Sequence, residues 1–325
     1  MSSKKVRAIR TLFVCGVKKI SYYVLKFVSK IFCLLPFKIS LTCGKILAQI
    51  AWLFIPSRRT KLSRENIQSC LKVSEVEAEK ISKAAALQFG NILIEVLCFP
   101  KLKDEMINHV KVIGLNYLTD YINSTEREGR GAVIMTSHSD NWELMGGAFA
   151  QNGIPLVGVA KKQKDAGTDK FMNEYRTLIG MHITYRQGVR EMYRMMDEGH
   201  FIGLIMDQDT GRHDGAIVKF FNRATTYMTG AAAMSRLKKV PIFPAFMHKN
   251  SDDTHTLEIF PPLYCEKTSD KRKDIQQMTQ KLATLTEEHI KKYPQEWFWL
   301  HDRWKSMRTD FTPEEVEQLN KELGL

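Results

Sequence analysis

An α/β fold, with a central and mostly parallel sheet flanked by helices, is what the sequence predicts, and a basic helical segment precedes it. Three observations carry this. From about residue 110, short apolar runs alternate with amphipathic stretches. Between residues 58 and 99 apolar residues recur at helical spacing, among them Ile67, Leu71, Ile81, Ala85, Ile92 and Val96. Positive charge is confined to one end. Of a net +12, residues 1–64 hold fourteen Lys and Arg with no Asp or Glu, and the remainder holds 34 basic against 36 acidic residues. With 325 residues, 44% of them hydrophobic, the chain is long enough for a sizeable core.

Residues 1–60 form the first predicted unit, a membrane-associated segment. So basic an end implies an anionic partner. Its interleaved residues, Tyr22, Tyr23, Leu25, Phe27, Phe32 and Leu34 among them, favour an anionic lipid surface over nucleic acid. A spanning helix needs roughly 18–20 apolar residues with few charges, and Lys18, Lys19, Lys26, Lys30, Lys38 and Lys45 interrupt every such run. The expectation is a segment lying on the membrane, with a single N-terminal anchor helix as the alternative. No cleavable signal peptide is expected, because the run from Thr11 to Val17 is short and meets Lys18 and Lys19 at once. Six cysteines, at 15, 33, 43, 70, 98 and 265, show no CxxC pair and no zinc spacing. They read as reduced core residues of a cytoplasmic protein.

Residues 61–310 form the second unit and 311–325 a tail. Gly131 to Thr136 and Pro155 to Ala160 read as buried strands. Asp169 to Gly180 reads as a helix closed by glycine, Met181 to Arg186 as a strand and Val189 to Glu198 as a helix. Phe201 to Met206 is another buried strand. Met228 to Lys239 is a helix, Val240 to Met247 and His255 to Phe260 are strands, and Asp270 to Tyr293 is a charged amphipathic helix. In such sheets ligands gather beyond the C-terminal ends of the strands, so chemistry is sought there.

The first of those ends reads Ser137-His138-Ser139-Asp140-Asn141-Trp142-Glu143. An imidazole in a strand-to-helix turn can titrate near neutral pH and act as a base. Five helical residues turn about 140°, so His138 and Glu143 cannot share one helix face. With His138 in the turn and Glu143 in the first helical turn, the carboxylate can reach back to a ring nitrogen and fix its tautomer. The competing reading is structural: Asp140 and Glu143 fit a capping-box spacing, and His138 is then a satisfied turn residue.

His138 and Glu143 together resemble the HxxxxD/E motif of the glycerolipid acyltransferase superfamily, and further segments resemble its late lipid A acyltransferase branch (lauroyl/myristoyl type). Arg58-Arg59 followed by Asn66-Ile67 resembles that branch's basic pair before a helix. Asp207-Gln208-Asp209, then Phe220-Phe221-Asn222 and Thr225-Thr226, resemble its DQD and FFG…TT segments, with Asn222 where glycine is common. Trp297 to Lys305 resembles its WxWxHxRWK signature. The resemblance covers most of the chain. It implies a glycerolipid acyltransferase-like fold at the cytoplasmic face of the inner membrane, and no cofactor. It also implies an acyl donor on acyl carrier protein or coenzyme A, and a lipid A precursor or related glycolipid as acceptor. His138 would then be the general base and Glu143 its orienting partner, with direct attack on the thioester. No GxSxG nucleophile elbow is present. Lys161, Arg176, Asp207 and Asp140 are the expected substrate-binding residues, Lys161 standing where the family has arginine.

Two other classes compete. Asp207-x-Asp209 alone resembles the DxD metal site of glycosyltransferases, since two such carboxylates can share a divalent cation. The basic N-terminal segment alone describes a non-enzymatic membrane-binding module. The remaining histidines have no metal spacing, and no metal site is expected. The Trp297 to Trp304 cluster reads as packing and membrane-interface contact.

Overall fold

A computed structural model gives the architecture of residues 20–325. The expectations placed on Thr11 to Val17, Lys18, Lys19 and Cys15 lie outside the described residues. The five cysteines within them are free thiols.

The described residues open on a helix. Helix α1 runs through residues 20–34, followed by α2 (Phe37–Trp52), α3 (Ser57–Leu71) and α4 (Glu75–Leu97). Pro36 and Pro56 stand at the N-caps of α2 and α3 with φ of −54° and −56°. Their rings stop the preceding turn and set the next helix's start. The helical stretch expected over 58–99 is two helices. Lys72 adopts a left-handed conformation, φ 58°, after α3, and the Ser74 hydroxyl caps α4 by accepting from the Glu77 amide at 3.2 Å. Helices α2 and α4 cross backbone to backbone at Gly44 and Gly90. A Cβ on Gly90 would lie 2.3 Å from the Gly44 carbonyl oxygen. That contact leaves Ile39, Ile46, Leu47 and Ile50 of α2 exposed. No single described helix is long and apolar enough to cross a membrane; α2 and α3 reach that length and composition only as a pair, bent by 104°.

Three short helices, α5 (Phe99–Leu102), α6 (Met106–His109) and α7 (Leu115–Asn123), surround β1 (Val110–Ile113). The α/β alternation follows: β2 (Val133–Thr136), α8 (Trp142–Gln151), β3 (Leu156–Ala160), α9 (Ala166–Leu178), β4 (His182–Tyr185), α10 (Val189–Asp197) and β5 (Phe201–Ile205). A hairpin of β6 (Gly215–Phe220) and β7 (Arg223–Met228) interrupts it before α11 (Gly230–Lys238), β8 (Ile242–Lys249), β9 (His255–Ile259) and α12 (Lys271–Lys292). Helices α13 (Lys305–Thr309) and α14 (Pro313–Glu322) follow.

The seven-stranded sheet has the order β1-β9-β8-β2-β5-β3-β4. Every neighbouring pair is parallel except β8 with β9, so the expected mostly parallel α/β sheet is what forms. It divides the core in two. Val133 and Met135 of β2 join a cluster with α3, α10, α11 and α12, while Ile134 joins one with α4, α8 and α9. Alternate side chains of a strand point to opposite faces, and a sheet covered on both faces is apolar throughout. The β6–β7 hairpin was not legible as such. Its two-residue turn is Phe221 and Asn222, both left-handed with φ of 50° and 58°. Such a turn usually advertises itself with glycine, and here only Asn222 suits it.

Candidate active site

Strands β2 and β5 lie side by side with Thr136 opposite Ile205. The Met206 amide donates to the Thr136 carbonyl at 3.0 Å and carries the pairing one step past the ladder. His138 and Asp207 therefore leave adjacent strands at matching positions. The Asp207 carboxylate contacts imidazole Nδ1 through Oδ1 at 2.8 Å, and the same oxygen accepts from the His138 amide at 3.0 Å. Its Oδ2 accepts from the Trp297 indole N–H at 2.6 Å. Asp207 is 2% exposed. Burial pushes its pKa up, but the imidazole and the donors around it outweigh burial and hold it below the ordinary carboxylate value. With Nδ1 committed to a carboxylate, Nε2 is the ring's basic nitrogen.

Residues 296–298 clamp the His138 loop. The Phe298 amide donates to the His138 carbonyl at 3.2 Å and the Asp140 amide to the Glu296 carbonyl at 2.9 Å, while Ser139 and Trp297 form an antiparallel bridge. Around His138 stand three half-buried aromatic rings. The Trp142 ring meets His138 edge-on at 5.0 Å, and Phe89 lies 6.1 Å from Trp142 and 4.7 Å from Phe298.

Glu143 does not make the expected contact with the imidazole. Both its oxygens accept from Arg176 of α9, from Nε at 2.7 Å and Nη2 at 2.5 Å. The reason is topological: β5 delivers a carboxylate beside His138, and α9 delivers a guanidinium to Glu143. Asp207, expected to contact substrate, is instead spent on the ring and the indole. Arg176 retains Nη1 with no partner among the described residues.

Asp140 corrects a further expectation. Its oxygens meet Gln88 Nε2 at 2.9 Å and His255 Nδ1 at 2.6 Å, and at 1% exposed it is buried away from substrate. It belongs to a buried polar layer beneath the loop. His255 Nε2 pairs with Glu95 at 3.1 Å, Glu95 accepts from the Asn141 amide group at 2.7 Å, and Gln88 also bonds Glu296. Burial opposes a charge on His255, but Asp140 and Glu95 override it and raise its pKa well above the imidazole value. It is a buried cation between two carboxylates. Burial, with Asp140 nearby, pushes the Glu296 carboxyl up to about 8. Asn141 also caps α8, accepting from the Leu144 amide at 3.0 Å.

The C-terminal signature closes the site from the other side. The Asp209 amide donates to His301 Nε2 at 3.1 Å, so the neutral ring carries its proton on Nδ1. Burial lowers the His301 pKa and favours that neutral form. Asp209 accepts from the Ser306 hydroxyl at 2.7 Å, and buried Arg303 donates to Thr225 Oγ1 at 3.0 Å and the Thr226 carbonyl at 2.9 Å. Asp207 and Asp209 thus serve separate partners. Lys161 is exposed one residue beyond β3, at the same edge of the sheet.

Sequence reasoning placed His138 at a strand end, which is where it lies. Asp207 was recognised as a motif residue but not as the imidazole's partner. His301 was assigned to packing and membrane-interface contact, and its bond to the Asp209 amide was not foreseen. The signal for Asp207 was its place after a buried strand; only the strand order reveals which strand is adjacent.

A histidine paired with a buried carboxylate at the mouth of a parallel sheet, with no side-chain nucleophile among the described residues bonded to its free nitrogen, has the arrangement that general-base chemistry needs. Over residues 14–306 the chain matches the family of bacterial lipid A biosynthesis acyltransferases, and it belongs to that family. Membership of that family favours acyl transfer over both the glycosyltransferase and the non-enzymatic reading. Similar curated proteins include the phosphatidylinositol mannoside acyltransferase of Mycolicibacterium smegmatis, 28% identical over 190 residues, which are 57% of this chain and 60% of that protein. The chain thus spans less than two thirds of that relative's length. The Mycobacterium tuberculosis H37Rv protein of the same name is 24% identical over 74% of this chain and 76% of its own. The lipid A biosynthesis palmitoleoyltransferase of Escherichia coli K12 is 23% identical over 84% and 87%.

Proposed function

We propose that the protein moves a fatty acyl chain from a thioester on acyl carrier protein or coenzyme A to a hydroxyl of a glycolipid at the cytoplasmic membrane surface. His138 Nε2 takes the hydroxyl proton as the alkoxide oxygen attacks the thioester carbonyl. The tetrahedral adduct collapses, the C–S bond breaks, and the leaving thiolate takes the proton back from the imidazolium. Asp207 holds the ring and stabilises its charged form, the part that sequence reasoning gave to Glu143. Glu143 holds Arg176, whose remaining N–H groups, with the His301 Nδ1–H, supply donors for the oxyanion. Lys161 adds positive charge at the same edge for an acidic carrier or an acceptor's anionic group.

The observation that carries this reading is the His138–Asp207 pair within a chain of this family. Relatives named for lipid A and for phosphatidylinositol mannoside support a glycolipid acceptor. Phe89, Trp142 and Phe298 provide an apolar wall beside the base, suited to an acyl chain. The exposed apolar side chains of α1 and α2, interspersed with Lys30, Lys38 and Lys45, suit an interfacial helix on anionic lipid. The test is incubation of purified protein and membranes with a labelled acyl thioester, followed by mass spectrometry of the lipids. One glycolipid gains one acyl chain with wild type and none with His138→Ala. Equal labelling by His138→Ala would overturn the mechanism.

A further inference from the structure

A cavity of about 390 Å³ lies between the start of α3 and the C-terminal segment. Arg58, Lys61, Glu65 and Asn66 follow a helical repeat and line it from one face of α3. Arg223, Asp302 and Arg308 line it from the opposite side. Four cations thus meet two carboxylates. Asp302 is taken by Arg308, and Glu65 lies 3.9 Å from Lys61. Arg58 and Arg223 have no carboxylate partner among the described residues; Arg223 rests over the Trp304 ring, 5.0 Å from its centroid. The surplus of two positive charges suits a phosphate, which carries up to two negative ones, and arginine forks bind its oxygens in pairs.

Asn66 lines the cavity as well: the residue is only 5% exposed, yet its side-chain amide, which bonds no described residue, stays open to the cavity, where a ligand oxygen can meet it. The two halves of the Arg58-Arg59…Asn66-Ile67 segment therefore converge on one space.

The surroundings indicate what carries the phosphate. Leu53 and Phe54, 78% and 80% exposed, lie just before Arg58 in the chain. Arg59 donates to the Leu300 carbonyl at 3.2 Å, beside His301, and Asp302 follows His301 directly. The cavity thus lies a few residues along the chain from an apolar tip, and Asp302 in its lining is the neighbour of His301. We propose that it binds the phosphomonoester headgroup of a membrane lipid whose tails lie with Leu53 and Phe54. This goes beyond acyl transfer and holds or fails independently of it.

The test is equilibrium binding of the full chain to phosphatidylcholine vesicles containing either phosphatidic acid or phosphatidylglycerol, with no acyl donor present. Arg58→Gln and Arg58→Gln/Arg223→Gln are compared with Lys30→Gln/Lys38→Gln, which removes charge from α1 and α2 only. The single variant changes an exposed residue and keeps the test valid if Arg223→Gln disturbs β7. Both pocket variants should weaken phosphatidic acid binding about tenfold more than phosphatidylglycerol binding, while the lysine control weakens both alike. An equal loss for both lipids, or none in Arg58→Gln, overturns the proposal. A parallel titration with inorganic phosphate separates the sources: loss of that binding in Arg58→Gln with unchanged vesicle binding assigns the cavity to a soluble phosphate and overturns the lipid assignment.

Discussion

His138 and Asp207, 69 residues apart, meet because two parallel neighbours, β2 and β5, end in register. Their contact is a property of the sheet, with each residue one short step beyond its strand. Replacing Asp207 by Asn keeps the shape and removes the charge that steadies the imidazolium. Initial acyl-transfer rates should fall by about 10³–10⁴-fold with the fold unchanged by circular dichroism. Rates within threefold of wild type would leave His138 without its proposed partner.

Glu143 and Arg176 form a buried ion pair whose side chains are 8% and 13% exposed. Glu143→Gln strands the guanidinium, and urea unfolding should register a loss of about 3–5 kcal/mol. The double variant Glu143→Gln/Arg176→Met should regain part of that stability but no activity. Unchanged unfolding in the single variant would show that the pair is not formed.

His255 and Glu296 both hold protons in the folded protein that the unfolded chain gives up at lower pH. The Glu296 share of stability is complete below the ordinary carboxyl value and is gone above about 8. The His255 share is complete below the ordinary imidazole value and drains away as pH climbs towards its raised folded value. Melting temperature should therefore fall from about pH 4.5 to about pH 8 as Glu296 loses its share, with His255 adding to the fall above the ordinary imidazole value. Glu296→Gln, which stays neutral, should flatten that slope; an unaltered slope would show that Glu296 is already ionised in the folded protein.

Phe89 lies on α4, apart from the backbone bonds that hold the His138 loop, so its ring can be removed without touching them. Phe89→Ala should raise KM for a long-chain acyl donor several-fold more than for a short-chain one. Equal effects on both would place the chain elsewhere.

Leu53 and Phe54 contribute to membrane binding if that tip enters lipid. Leu53→Ser/Phe54→Ser should weaken vesicle binding by about 2–4 kcal/mol from lost apolar burial. Sedimentation with liposomes measures it, and unchanged partitioning would mean that another face docks.

Much of the sheet was legible because a covered parallel strand must be apolar throughout. Val133 to Thr136 and Phe201 to Ile205 show that without any structure. His138 was legible for a related reason, being the polar residue that ends such a run. Its partner was not. The sequence motif pointed to Glu143, five residues on, whereas the sheet brings a carboxylate from a different strand. Asp140 misled for another reason. An acidic residue in a polar loop looks solvated, and only the packing of α4 and β9 shows it buried against His255. The β6–β7 hairpin escaped because its turn is made by Phe221 and Asn222 rather than glycine.

The indole of Trp297 grips Asp207 across 90 residues, and Arg303 fastens the same segment onto the hairpin. During synthesis, therefore, a chain emerged only as far as α12 already has the histidine and its carboxylate but lacks the clasp that finishes them. The protein's chemistry waits on its late-made residues, and a protease cut ahead of Trp297 would silence the enzyme while sparing most of its sheet.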